Sequence, residues 1–89
     1  VANMRAEIDQ IQDQINQLNR EKQKIYADQS RLRDNIRAIS EKNALKERYI
    51  DQLGEQEDRL QEIDKQLEAR QRQKDKEQQS FKDYVLKAI

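Results

Sequence analysis

The sequence predicts an all-α chain folded as an antiparallel helical hairpin, a two-helix coiled coil that reverses near residues 40–44. Three observations lead there. Apolar residues follow a heptad repeat along the first half of the chain and, less completely, along the second. The register of that repeat breaks between the halves. Helix-breaking residues are almost absent, with no Pro and a single glycine, Gly54.

The first half carries the cleaner repeat. Position a holds Val1, Ile8, Ile15, Lys22, Gln29 and Ile36; position d holds Met4, Ile11, Leu18, Ile25, Leu32 and Ile39. A sustained seven-residue repeat puts its apolar residues on one narrow stripe of a long helix, which buries that stripe against another helix. This defines a first helix over about residues 2–39. In the second half, position a holds Lys46, Leu53, Leu60, Leu67, Lys74, Phe81 and Ala88, and position d holds Tyr49, Gln56, Ile63, Arg70, Glu77 and Tyr84. This defines a second helix over about residues 44–88.

Between the helices lies "RDNIRAISEKNALKERYIDQL", residues 33–53. The first register requires a at Asn43 and the second requires a at Lys46, a slip of three residues. A continuous helix would absorb the slip as a stammer with local overwinding. A turn makes it irrelevant. Asn43 suits either a left-handed position after the first helix or the N-cap of the second.

Pairing the halves favours the turn. In a hairpin whose facing residue numbers sum to about 85, position a meets d throughout, as antiparallel packing requires. Leu32 then faces Leu53, Ile25 faces Leu60, and Lys22 faces Ile63. Gln29 and Gln56 share one core polar layer, where each amide is expected to satisfy the other. The alternative is a continuous long helix in a parallel dimer. It would set Arg70, Lys74 and Glu77 each against its own copy, and like charges held that close repel. Flanking charges do not separate the two arrangements, since Asp28 can reach Arg59 in the hairpin and Arg33 of a partner in the dimer.

The hairpin leaves a mismatch. The stretch "EARQRQKDKEQQS", residues 68–80, is nearly devoid of apolar residues yet faces Ile8, Ile11 and Ile15. Those three form the candidate interface, through which a dimer of hairpins is expected. The tail "FKDYVLKAI" places Phe81, Tyr84, Val85 and Ala88 on one helical face that projects past Val1. With a first residue that is not Met, this reads as a single coiled-coil module, residues 1–89, taken from a larger protein.

Composition narrows function by exclusion. Of 89 residues, 40% are charged and 34% apolar, too few to enclose a globular core. The 18 basic and 18 acidic residues cancel, so no net charge draws the chain to nucleic acid or to anionic membrane. No apolar run approaches the roughly 20 residues that span a bilayer. Without Cys or His, thiol nucleophiles, imidazole bases and the common zinc sites are absent. No catalytic residue, cofactor, metal site or small-molecule substrate is expected, and compartment is not legible. The basic cluster Lys65, Arg70, Arg72, Lys74 and Lys76 is diluted by Glu68 and Asp75 and lacks interleaved aromatics, so nucleic acid is not the expected partner. Gly54 sits outside the seam, where plain tolerance of a glycine is the expected reading and a local bend or a closely approaching partner is the alternative.

The segment Gln29–Gln71, and within it "RLRDNI" at Arg31–Ile36, "ERYIDQL" at Glu47–Leu53 and "EQEDRL" at Glu55–Leu60, resembles the coiled coil of a bacterial family of unknown function, the mucoidy-inhibitor type. The resemblance covers about half the chain and implies a coiled coil leading into a C-terminal β-rich domain. Such relatives often carry Gly, Ser or Pro where this chain has "SEKN", which suits a turn. The neighbouring domains are absent from this sequence, and no catalytic residue carries over. Two functions remain. One is a structural coiled-coil module that spaces or self-associates; the other is a binding module, either an RNA-gripping arm or a prefoldin-like chaperone hairpin.

Overall fold

A computed structural model describes residues 2–89. It contains two helices, α1 (Ala2–Ala38, 37 residues) and α2 (Ala44–Ala88, 45 residues), folded back on each other as a hairpin. The molecule measures 71 × 15 × 14 Å. At 1.5 Å rise per residue, the 45 residues of α2 span roughly 68 Å, so one helix length accounts for the long axis. The continuous-helix alternative is thereby excluded for this chain. Val1, the first seam position, lies outside the described residues.

The reversal takes five residues, 39–43. α1 stops at Ala38, one residue short of the expected end, where the Ile39 amide donates to the Ile36 carbonyl at 3.2 Å and tightens the last turn. Of the two roles open to Asn43, the structure selects the N-cap. Its backbone is extended (φ −146°, ψ 174°), and its side-chain oxygen accepts from the Lys46 amide at 3.0 Å. No described residue has positive φ. The turn therefore needs neither Gly nor Pro, which explains why the sequence signal for it is weak. Glu47 places a carboxylate in the first turn of α2, where the helix dipole favours it. The Lys46 ammonium bridges back to the Ile39 carbonyl at 3.4 Å and ties the turn to α2.

The expected register holds along the rod. Residue numbers sum to 86 for the Lys22–Asp64, Gln29–Glu57 and Gln12–Lys74 contacts, and to 84 for Asp28–Gln56. The core lies on the predicted stripe. Leu32 and Ile63 are fully buried, and Leu60, Ile15 and Ile11 nearly so. Tyr49 is half-buried at the turn end, while Tyr26 flanks the seam and remains 45% exposed.

Candidate functional site

The side chains with most to explain form a belt around the middle of the rod. Among the described residues, Gln29 is the one polar residue in the core, at 2% exposure. A buried amide must find partners, because an unpaired polar group forfeits its hydrogen bonds to water. The expected partner was Gln56. The two glutamines do lie at one level, but the hydrogen bonds run elsewhere. Gln29 Nε2 donates to Glu57 Oε1 at 2.8 Å, and Gln56 Nε2 donates to Asp28 Oδ2 at 2.6 Å. Each amide reaches a carboxylate at the edge of the opposite helix. The physical reason is charge: a carboxylate is a stronger acceptor than an amide carbonyl. The pairing leaves Gln56 Oε1 buried without a partner.

Two ion pairs continue the belt on opposite edges. Arg59 grips Glu21 with both Nε (2.6 Å) and a terminal nitrogen (2.8 Å), and also reaches Glu62 at 3.3 Å. The sequence had placed Asp28 within reach of Arg59. Asp28 instead binds Arg31 on its own helix and Gln56 across the seam. On the other edge, Lys22 binds Asp64 at 2.7 Å, and its ammonium lies 5.9 Å from the centre of the Tyr26 ring. These contacts shift titrations. The Arg59 guanidinium holds the Glu21 carboxyl below its ordinary 4.5. Arg31, with help from Gln56, holds Asp28 below 3.8. Asp64 holds the Lys22 ammonium above 10.5. All stabilise the charged forms, which suits structural clamps. A proton-transfer group needs a titration nearer neutrality.

The isoleucine stripe behaves differently from expectation. Ile11 and Ile15 are buried within the single hairpin, at 5% and 8% exposure, and Ile8 is half-buried. The opposing residues are the charged ones predicted, so the cover is made of side-chain stems. Arg70, Gln73 and Glu77 line the groove beside Ile11, and Lys74 lies half-buried across the seam with its ammonium 2.5 Å from Gln12 Oε1. Long side chains can lay their methylenes on apolar surface while their heads reach polar partners. The argument that these isoleucines lack cover therefore fails for Ile11 and Ile15.

Three members of the basic cluster are engaged. Arg72 pairs with Glu68, Arg70 donates to Gln73, and Lys74 is the group on Gln12. Near the turn, Arg31 and Arg37 bind Asp28 and Asp34. Among the described residues, no group of three or more carboxylates is arranged to hold a metal ion. No helix of the described residues is long and apolar enough to cross a membrane. Comparison with protein-family models, curated proteins and solved structures gave no match.

Proposed function

We propose that this chain is a non-catalytic spacer that also self-associates: a stiff arm about 70 Å long that turns at one end and brings the chain back past its start. The observation that carries this reading is the seam itself. Apolar burial runs from Ile11 to Leu32 on α1, and clamps cross it at Gln12, Glu21, Lys22, Asp28 and Gln29. Side chains that would otherwise be free for chemistry are occupied in holding two helices in register. The likeness of Gln29–Gln71 to the mucoidy-inhibitor-type coiled coil is consistent with an arm set beside other domains.

The test is length. Deleting one heptad from α1 and the facing heptad from α2, residues 12–18 and 67–73, keeps the register and shortens the rod by roughly 10 Å. In the host, a spacer loses function on this deletion, and a hairpin that acts only through its turn keeps it. That second reading, client capture at the turn end, draws on Leu45 and Ile50, which are 45% and 50% exposed there. Full function after the deletion would decide for it, provided that Leu45→Ser with Ile50→Ser abolishes capture of an unfolded protein.

A further inference from the structure

The two edges of the hairpin differ in composition. On one, Glu21 meets Arg59 and Asp28 meets Gln56. The other is the edge where Lys22 meets Asp64 and Gln29 meets Glu57. On this second edge, α2 presents Glu47, Glu57, Asp64, Glu68 and Asp75 at the flanking heptad positions and no basic residue between them. The matching positions of α1 from Gln12 to Ser40 carry Arg33 and Arg37 and no acidic residue. One edge thus has a basic rail beside an acidic rail.

The same edge holds apolar groups that the hairpin does not use. Tyr26 and Ile50 are 45% and 50% exposed and both lie on it. Gly54 lies there too, one turn beyond Ile50. A Cβ built on Gly54 meets nothing within 4 Å, and its backbone is ordinary helix. Glycine inside a helix destabilises it relative to alanine, and neither the conformation nor the packing within one chain requires it here. A close approach from outside would.

From these observations we infer that this edge is the contact between two copies of the chain, packed side by side with their turns at the same end. This rests on the self-association in the reading above and names its surface. The orientation follows from charge. A two-fold axis along the rod sets the basic rail of each α1 on the acidic rail of the partner's α2. A two-fold axis across the rod would set α1 on α1 and α2 on α2, with acidic rail against acidic rail. Residues at one level sum to about 85, so Arg37 falls within a turn of the partner's Glu47. Arg33 falls between the partner's Ile50 and the partner's Glu57, above the gap left by the partner's Gly54. Contacts of this kind are self-complementary, with the same patch on both copies. They weaken with salt, because exposed pairs are screened.

Sedimentation equilibrium of the full chain tests the inference by charge exchange. Arg33→Glu with Arg37→Glu should give a monomer, and so should Glu47→Arg with Glu57→Arg. An equimolar mixture of the two variants should recover a dimer, because both contacts are then complementary. Gly54→Leu should raise the melting temperature of the dilute hairpin yet weaken association at least tenfold. A variant that merely misfolds is not rescued by mixing, and circular dichroism reports it. Dimers that persist in Arg33→Glu/Arg37→Glu, or folded variants whose mixture stays monomeric, overturn the inference. A wild-type chain that remains monomeric at high micromolar concentration overturns it too, while leaving the spacer reading to be judged by the heptad deletion.

Discussion

The turn-proximal half of the rod and its open half bury their seams by different means. Between Leu18 and Leu67, both helices contribute buried aliphatic residues, and Leu32, Leu60 and Ile63 disappear from the surface. Four cross-helix contacts hold the edges. In the open half, only α1 contributes buried residues, Ile11 and Ile15, and the opposing α2 supplies stems ending in charge. One interhelical hydrogen bond, Lys74 to Gln12, crosses there among the described residues. Burial by stems removes apolar surface from water but orders long flexible side chains in doing so, at an entropic cost of up to about 2 kcal/mol per Lys or Arg. Equal accessibility thus need not mean equal stability, and the open half should unzip first.

The largest expected effect breaks the weaker half outright. Ile11→Glu with Ile15→Glu replaces two buried aliphatics, each worth roughly 1.5–3 kcal/mol, by carboxylates. Spin labels at Arg5 and Lys82 sit close in the wild-type hairpin, within about 20 Å given helix axes 8–10 Å apart. In the variant this distance should broaden and lengthen, while amides around Leu32 and Leu60 stay protected from hydrogen exchange. Loss of protection along the whole rod would show that the two halves fold as one unit.

Single truncations compare the halves directly. Leu32→Ala removes a side chain with no exposure that the register sets against the aliphatic Leu53, and should cost about 3–5 kcal/mol in urea unfolding. Ile15→Ala should cost about 2–3 kcal/mol, because flexible stems can settle into the space. Equal losses would mean that the stems pack as firmly as an aliphatic core.

How much of this was legible in the residues follows the same division. The heptads place Leu32, Leu60, Ile63 and Gln29 in the core, and each is buried. The reversal was visible as a register slip, since a phase error accumulates over many residues and does not depend on any one of them. Side-chain partners were less legible. Gln29 and Gln56 invite pairing because they share a level, but a one-dimensional register omits the carboxylates of Asp28 and Glu57 waiting at the edges. Ile11 and Ile15 were expected to lack cover because Arg70, Lys74 and Glu77 count as charged, whereas most of their length is methylene. The signal that could have found this is the spacing: those three stand at seam positions, where only their stems can lie.

The polar belt sharpens the comparison from the stronger side. Gln56 Oε1 is a buried acceptor without a donor, a local defect in the better-packed half. Gln56→Leu removes it and adds apolar contact. Asp28, losing the amide, keeps Arg31. The variant should gain on the order of 1 kcal/mol, within the range for relieving an unsatisfied buried polar group. Gln29→Leu should gain less, because its amide is already well bonded to Glu57. If Gln29→Leu gains as much, the carboxylate bond contributes nothing net.

The smallest effect separates the halves by pH. Glu21 and Asp28 both titrate below their ordinary values, and both sit in the turn-proximal half. A carboxyl whose pKa is lower in the folded state binds fewer protons there than in the unfolded chain. Stability therefore rises with pH across the interval between the two values. The contribution is complete above about pH 5 and is lost as pH falls through the folded values. Lys22, held above 10.5, gives the opposite sign: its contribution is present below that value and fades in strong alkali. Acid should thus erode the advantage of the turn-proximal half, and the erosion should be shallow because these pairs are solvent-accessible and screened. Hydrogen exchange at Leu32 and at Ile15, measured at pH 7 and pH 3 and corrected for intrinsic rates, follows the two halves separately. Protection at Leu32 should fall more than protection at Ile15, and Glu21→Gln should remove part of that difference. Equal falls at both sites, unchanged in Glu21→Gln, would assign the acid response to carboxylates outside the belt.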